Sequence, residues 1–388
     1  MSRMLLKWPA LTIYIVALVL SLKFAIFDYR LPGIATLVFE NLSSSADSSI
    51  EYQLYLQIVN YGHILLQYRQ EQILLVSSYA VTYLPALIQR LLQSDPYWTF
   101  RLYSAFIMPC LPVVIYYLAR KWNSKVWSMI CAALSFSWLI YLQGNYYERT
   151  NIALIFAMLM MLAIVTDKWN WKIRYPVIAI SAAGMPMSHY SVTFGAIGIL
   201  FASLVIGLIW RKDSYVKPIG YSILCLLGVV GVYYGLVYPG VLYKLSIVGN
   251  ASVGLIPMPE QSAPVAIPTL IGSLSKGITM IGYFITILLI VGWLIVYKKE
   301  GMSRNVSTIG GMLAIGGAIA IPALQALYGF NRIQYQALLP AMVYFPMGVK
   351  ALADKLSINS KLLAGIIVGG FLLISLVYIP IANRVGLL

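Results

Sequence analysis

Charged residues are scarce in this sequence. They occupy 10% of its 388 positions, whereas 61% of the residues are hydrophobic and the mean hydropathy is +0.83. Apolar runs of roughly 18 to 22 residues recur along the whole chain, and a soluble core needs no runs of that length. The scarcity of charge therefore argues against a soluble globular protein and predicts an all-α polytopic membrane protein.

Cysteine is also rare, and each cysteine lies inside an apolar run. Cys110, Cys131 and Cys225 show no CxxC spacing and have no neighbouring histidine in the sequence, so neither a disulfide framework nor a zinc site is predicted. The formal net charge of +15 is carried by short Lys and Arg clusters between the apolar runs. Such clusters indicate membrane topology and no nucleic-acid partner.

The apolar runs predict about eleven membrane-spanning helices. We expect the first helix to be retained, because no small-residue cleavage site follows it. The predicted spans are 8–27, 100–118, 126–143, 150–166, 174–187, 192–210, 217–237, 278–297, 306–328, 335–353 and 361–382. With the N-terminus inside the cell, 17 of the 27 basic residues and only four of the 12 acidic ones lie in the cytoplasm. The positive-inside rule favours this orientation, with the C-terminus outside the plasma membrane.

The long outer segments divide the single membrane domain. Residues 28–99 form an outer loop with interfacial or re-entrant helices, such as the less apolar segment 73–92. We predict core helices in residues 100–237, a proline-containing outer loop in residues 238–277, and C-terminal helices in residues 278–388.

One predicted span is short and contains two helix-breaking residues. Residues 174–187 carry Gly184 and Pro186. We predict that the helix is broken there and that it faces protein or a water-filled cavity.

Unusual polar residues gather on the predicted outer face. Asp47 and Glu51 of SADSSIEY lie one helical turn apart in the first outer loop. Other segments contribute Glu148 and Arg149 of NYYERTN, His189 and Tyr190 of MSHYSVTF, and Arg332 of GFNRIQYQ. Ionisable groups at a membrane boundary usually mark a site. Each residue also has a structural interpretation. Asp47 and Glu51 could be carboxylates solvated by water, and Glu148 and Arg149 could anchor a helix end. His189 could be a hydrogen-bonded structural residue, and Arg332 could reach the lipid headgroups of the outer leaflet.

The order of these motifs resembles a known superfamily. SADSSIEYQLYLQIVNYG, SSYAVTYLPALIQRLL, FRLYSAFIMPCLPVVIYYLARK, NYYERTNIALIFAMLMML and MSHYSVTF follow one another. This order is similar to that in an archaeal family of multi-spanning proteins of unknown function, itself similar to the GT-C superfamily of lipid-phosphate-dependent glycosyltransferases. The likeness covers about residues 28 to 200, and it implies a GT-C-like fold with amphipathic helices in the first outer loop.

The resemblance implies sugar transfer from a polyprenyl-phosphate donor to a glycan, lipid or protein acceptor, with inversion at the anomeric carbon. Asp47 would be the base, and Glu51 would orient it or share a divalent cation with it; Asp28 is a second candidate acid. Oxygen ligands of this kind suit Mg²⁺ or Mn²⁺, although nothing in the spacing requires a metal.

The leaving phosphate would be held by guanidinium groups, Arg332 first and Arg149 second. His189 would hydrogen-bond the phosphate or the sugar, or shuttle protons. Glu148 and Tyr190 are secondary candidates in the same two motifs. Membrane lipids surround the protein, and the absence of a soluble C-terminal domain suggests a small acceptor, a partner subunit or lost activity.

Other functions fit the sequence as well. A transporter or flippase of a lipid-linked sugar or small solute would use the Gly184–Pro186 break and the GG steps at 310–311, 316–317 and 369–370 as hinges. A structural subunit of an envelope complex would need only the helix packing. A polymerase or ligase of envelope glycans is not separable from the transferase.

Overall fold

The computed structural model describes residues 8–27, 47–64, 78–143, 149–209, 213–243, 269–300 and 338–384, and no β-strand occurs in these ranges. The described helices are α1 (Pro9–Phe27), α2 (Asp47–Tyr61), α3 (Tyr79–Leu92), α4 (Pro96–Ile107), α5 (Cys110–Arg120), α6 (Lys125–Gln143), α7 (Arg149–Val165), α8 (Trp171–Ser188), α9 (Tyr190–Ile209), α10 (Asp213–Val232), α11 (Thr269–Glu300), α12 (Phe345–Leu356) and α13 (Ser360–Arg384). A π-helical turn, Tyr233–Val237, follows α10, and a 3₁₀ turn, Met342–Tyr344, precedes α12. The described part of the chain is thus all-α, as predicted.

Several described helices are long and apolar enough to cross a membrane. Three qualify alone: Pro96–Arg120, which contains α4 and α5, then Tyr190–Ile209 and Tyr215–Val237. The helical segments Leu338–Leu356 and Ser360–Leu376 meet at 116° and qualify together as a fourth. Large apolar side chains on these helices, such as Leu224 and Leu373, are exposed. Exposed apolar surface of this extent fits a hydrocarbon surrounding.

The predicted spans coincide with helices wherever the structure describes the chain, but some boundaries differ. The span predicted to begin at 100 starts earlier, because Asp95 caps α4 by accepting a hydrogen bond from the Trp98 N–H at 3.0 Å and Pro96 follows at the first helical position. The outer loop predicted to reach 277 ends earlier, since α11 begins at Thr269. The predicted span 306–328 lies outside the described residues.

The helix break predicted at Gly184 and Pro186 is wrong. Helix α8 continues through Pro186 to Ser188, and the chain leaves the helix at His189, which is extended with φ −157° and ψ 120°. Neighbours satisfy the carbonyls near this end of the helix. The Tyr234 hydroxyl donates to the Pro186 carbonyl at 2.7 Å, and the Ser188 hydroxyl donates to the Gly184 carbonyl at 2.6 Å. The Pro186 carbonyl belongs to the last turn of α8, where carbonyls lack an N–H partner within the helix.

Helices α2 and α3 pack together in the segment between α1 and α4. Helix α2 ends at Tyr61 and is followed by Gly62, whose φ of 81° suits glycine and whose N–H bonds to the Ile58 carbonyl at 2.9 Å. The Arg90 guanidinium of α3 donates to the same carbonyl at 2.7 Å. Arg90 thus caps the C-terminal end of α2, where a cation is favoured.

The opposite face of α3 is apolar and exposed. Leu84, Leu87 and Leu91 recur at helical spacing and are 43%, 53% and 74% exposed, whereas Val81 and Ala86 on the other side are buried. One buried face and one exposed leucine face are the pattern expected of a helix lying at a membrane interface.

An aromatic cluster of Tyr52, Tyr55, Tyr97 and Phe100 joins α2 to α4. Tyr52 lies 5.2 Å from the Phe100 ring, and the Tyr55 hydroxyl donates to the Pro96 carbonyl at 2.9 Å. Burial, with a smaller contribution from the Asp95 charge, raises the pKa of Tyr52 to about 12. Burial also raises the pKa of Tyr55. This cluster fixes the rotation of α2 and therefore the direction in which Glu51 points.

Helix α7 is the central helix of the described bundle, since almost every residue from Arg149 to Val165 is buried. Helix α8 packs against it in the opposite direction. Gly184 lies so close to Phe156 that an added Cβ would be 2.5 Å from the phenyl ring. Further along the pair, Arg174 Nε donates to the Ala163 carbonyl at 2.9 Å. These two contacts define the register between α7 and α8.

Candidate functional site

A buried ion pair joins the first outer segment to the central helix. Arg149 Nη1 donates to Glu51 Oε1 at 2.8 Å, and the side chains are only 8% and 1% exposed. Removing two charges from water is expensive, so a buried pair contributes little to stability compared with an apolar contact of the same shape. An ion pair kept under such conditions is a candidate for function.

The pair also compensates an unfavourable helix end. Arg149 is the first residue of α7, where the helix dipole is positive and a cation is disfavoured. The Glu51 carboxylate brings a negative charge to that end. Glu51 therefore stabilises both the guanidinium and the N-terminus of α7.

His189 connects α8 to α9 and is 3% exposed. Its N–H donates to the Met185 carbonyl at 2.8 Å, and its own carbonyl accepts from the Thr193 N–H at 3.3 Å. Its ring Nδ1 accepts a hydrogen bond from the Ser191 N–H at 3.1 Å, while the Tyr190 ring stacks on it at 4.9 Å. The imidazole is thus the N-cap of α9.

The register between α7 and α8 places Arg149 and His189 at the same level of the bundle. Gly184 is opposite Phe156. Going back seven residues from Phe156 to Arg149 rises about 10.5 Å, and going on five residues from Gly184 to His189 rises about 7.5 Å in the same direction. The two residues therefore lie at the same end of the α7–α8 pair, within about two helical turns of each other along the axes.

An apolar recess lies directly beneath this polar level. Its free volume is about 30 Å³. Its lining is entirely apolar and includes four methionines: Leu154, Ala157, Met158, Met160, Met161, Met185, Val192, Ala196, Ile199, Leu200 and Pro340. Leu154 follows Arg149 by five residues, and Met185 and Val192 flank His189 by four and three. Methionine side chains adapt to irregular apolar ligands.

Four other predicted site residues lie wholly or partly outside the described residues. Asp47 is the first residue of α2, so it lies one turn before Glu51 on the same helix as predicted, but its side chain is outside the described part. Asp28, Glu148 and Arg332 lie outside the described residues.

A buried arginine in the span that begins near residue 100 was not among the site residues predicted from the sequence. Arg101 is 4% exposed, and its guanidinium lies 5.0 Å from the centre of the Tyr97 ring and donates to the Tyr97 hydroxyl. A charge inside an otherwise apolar run was the available signal. Asn151, at 2% exposed, was also missed; its Nδ2 donates to the Met108 sulfur at 3.1 Å.

The described side chains do not form a site for Mg²⁺ or Mn²⁺. Glu51 Oε1 already accepts from a guanidinium, and a positive charge at that distance disfavours a second cation. Within the described ranges, no group of three or more His, Cys, Asp or Glu residues converges. A metal ligand at Asp47 stays a prediction.

Comparison with protein-family models, with curated proteins and with solved structures gives no match to this chain.

Proposed function

We propose that this chain is a membrane glycosyltransferase with about eleven spans that moves a sugar from a polyprenyl-phosphate donor to an acceptor on the outer face. The observation that carries the proposal is the buried Glu51–Arg149 ion pair, which shares its level with His189 and lies above the apolar recess. Charged side chains next to an apolar recess suit a ligand with an anionic head and a hydrocarbon tail.

In this mechanism the acceptor hydroxyl or amide attacks the anomeric carbon of the donor sugar. Its proton passes to the Asp47 carboxylate as the new bond forms, and the bond from the anomeric carbon to the phosphate oxygen breaks with inversion. Asp47 is favoured as the base because it lies on α2 one helical turn before Glu51, which forms the ion pair. Asp28 remains the second candidate.

The phosphate gains negative charge as the sugar departs, and guanidinium groups stabilise that charge in the transition state. We assign this role to Arg332 and Arg149. Glu51 acts as a positioning residue, since its carboxylate holds the Arg149 guanidinium at the N-terminus of α7.

The polyprenyl tail would lie along the apolar helix faces that meet lipid, and only a short part of it would fit the methionine-lined recess of about 30 Å³. Exposed apolar faces on α9 and α10 fit a lipid surrounding for such a tail; Leu208 and Leu224 are 57% and 70% exposed. None of the described residues that line the recess is charged, so this part of the tail would be desolvated without loss of hydrogen bonds.

The location of the polar groups favours a transferase over a transporter. His189 follows the last residue of α8 and Arg149 begins α7, so both lie at helix ends. A transporter site is expected near the middle of its spans.

The test is the Asp47→Asn variant, assayed with a panel of polyprenyl-phosphate sugars in proteoliposomes. We expect the rate of sugar transfer to fall at least about a hundredfold, the range that a general base contributes, with unchanged folding and unchanged binding of polyprenyl phosphate. Asp354→Asn is the control, since Asp354 is an exposed acid on α12 and is not a predicted site residue. Wild-type turnover in a folded Asp47→Asn protein would overturn the role of Asp47.

A further inference from the structure

Positive charge gathers at the end of the α7–α8 pair that lies away from Glu51. Lys121 follows α5, which packs against α7. Lys168 lies in the connection between α7 and α8, and Arg174 is in the first turn of α8. Among the described side chains whose charges act on Lys121, Asp167 is the only acid beside the cations Lys168 and Arg174. In the described part of the chain, these three cations therefore share a single carboxylate.

Arg174 has a structural role in this cluster. Its Nε donates to the Ala163 carbonyl at 2.9 Å, and its Nη2 donates to the Ile164 carbonyl. A cation is favoured at the C-terminal end of a helix, so Arg174 stabilises the last turn of α7. Its guanidinium also lies 3.8 Å from the Asp167 carboxylate, which leaves less of that negative charge to compensate the neighbouring lysines.

Lys121 is partly buried, and its positive charge is disfavoured there. Burial lowers the pKa of Lys121 from its usual value; the Asp167 carboxylate opposes this shift, whereas Lys168 and Arg174 add to it. Lys168 is exposed to the surroundings of the protein. An anion bound beside Lys121 and Lys168 would stabilise the charged form of both ammonium groups.

The N-terminus of α8 lies beside the same cluster, since Lys168 precedes Trp171, the first residue of the helix, by three positions. Asn170 caps this helix by accepting a hydrogen bond from the Lys172 N–H at 3.1 Å. The positive end of a helix dipole favours an anion. Trp171 is exposed, and exposed tryptophan is typical of the depth at which lipid headgroups meet the hydrocarbon core. At that depth the available anions are the phosphates of lipids.

Apolar and aromatic surface extends from this level along two helices. Tyr117 lies one helical turn before Lys121 on α5, and Ile173 and Ile180 lie two turns apart on one face of α8. All three side chains are exposed. A soluble phosphate makes no use of such surface, whereas the acyl chains of a phospholipid pack against it.

We propose that Lys121 and Lys168, with the N-terminal turn of α8, bind the phosphate of an anionic phospholipid whose acyl chains lie along the exposed faces of α5 and α8. The site is at the opposite end of α7 from the Glu51–Arg149 pair, and the predicted topology puts it in the cytoplasmic leaflet. Basic residues between membrane helices on that side are suited to anionic headgroups. The proposal is independent of sugar transfer, because none of its residues belongs to the candidate site.

Binding of phosphatidylglycerol and of phosphatidylcholine, measured by native mass spectrometry of the full chain in detergent, tests the proposal. Both lipids carry a phosphate, but only phosphatidylglycerol has a net negative charge, so we expect the wild type to bind it more tightly. Binding of phosphatidylglycerol should weaken about fivefold in Lys168→Gln and about thirtyfold in the double variant Lys121→Gln, Lys168→Gln, since each lysine near a membrane surface contributes about that factor. The double variant Lys355→Gln, Lys361→Gln is the matched control, because both lysines are exposed and flank the turn between α12 and α13.

Lys168→Arg keeps the charge and should bind phosphatidylglycerol as the wild type does. Equal losses in the cluster and control variants, or no preference for phosphatidylglycerol, would refute the site. Displacement of phosphatidylglycerol by inorganic phosphate, but not by chloride at the same ionic strength, would show a site for soluble phosphate and overturn the lipid assignment. Should Lys121→Gln fail to fold, the exposed Lys168 still decides the matter, because wild-type binding by a folded Lys168→Gln protein would contradict the proposal.

Discussion

At the scale of single residues, Glu51 and Arg149 depend on one another. Both side chains are buried, so removing one charge takes away the opposite charge that the other faces in a medium of low polarity. Replacing both with apolar residues of similar size removes the two desolvation penalties together. Stability and function therefore respond differently to single and double substitution.

We expect Glu51→Gln to lower the free energy of unfolding by about 3–5 kcal/mol, measured by thermal or denaturant unfolding in detergent. The double variant Glu51→Leu, Arg149→Met should recover most of that loss and still fail to transfer sugar. Asp167→Asn is the control, because Asp167 is 56% exposed and lies 3.8 Å from Arg174. An exposed pair contributes about 0–1 kcal/mol. A larger effect at Asp167 than at Glu51 would contradict this account.

The sequence singled out Glu51, Arg149 and His189, because ionisable residues are conspicuous in an apolar chain. It did not predict that Glu51 pairs with Arg149, since 98 residues separate them and no local pattern encodes that contact. The capping role of His189 was also missed. It depends on the break after Ser188, which the sequence placed earlier, at Gly184 and Pro186.

At the scale of helices, the contact between Gly184 and Phe156 aligns the two halves of the candidate site. The absence of a side chain at Gly184 allows α8 to lie against the Phe156 ring. This contact sets how far α8 advances along α7 and therefore the height of His189 relative to Arg149. A glycine within one helix thus positions a residue at the end of that helix.

We expect Gly184→Ala to destabilise the protein by about 1–3 kcal/mol, as overpacking does, and to weaken polyprenyl-phosphate binding by displacing His189. Adding Phe156→Leu should restore both, because a smaller side chain makes room for the new methyl group. Gly198→Ala is the control on α9, where an added Cβ meets nothing within 4 Å. Equal unfolding temperatures for Gly184→Ala and Gly198→Ala would show that the close contact does not set the register.

The helices themselves were largely predictable, because long apolar runs require helical backbone in a membrane. The positions of the helix ends were less predictable. The π-helical turn at Tyr233–Val237 has no signal in hydropathy, and helix α11 extends to Thr269 although prolines precede it. The Pro186 carbonyl in the last turn of α8 accepts a hydrogen bond from the Tyr234 hydroxyl, a partner 48 residues away that hydropathy does not encode.

At the scale of the whole molecule, the orientation in the membrane determines whether the candidate site faces the outside of the cell or the cytoplasm. The charge distribution predicts that α2 and the N-terminus of α7 face outward. The turn between α12 and α13 is predicted to face the cytoplasm. Exposed residues occur on both predicted sides, so chemical labelling can distinguish them.

We expect a cysteine introduced at His63 to react with an impermeant maleimide on intact cells, and one at Lys355 to react only after permeabilisation. Both positions are exposed. The native cysteines Cys110, Cys131 and Cys225 are first replaced by alanine. The reverse labelling pattern would place the Glu51–Arg149 pair on the cytoplasmic side and contradict transfer on the outer face.

The 98-residue separation of Glu51 from Arg149 also has a consequence in time. At about 5–20 residues per second, the ribosome makes Arg149 roughly 5 to 20 seconds after Glu51. In the proposed topology, α2 reaches the outer side before its partner exists, and its carboxylate stays hydrated until α7 is inserted. The ion pair therefore forms late, and a nascent chain that stalls before α7 leaves α2 undocked and accessible to proteases at the cell surface.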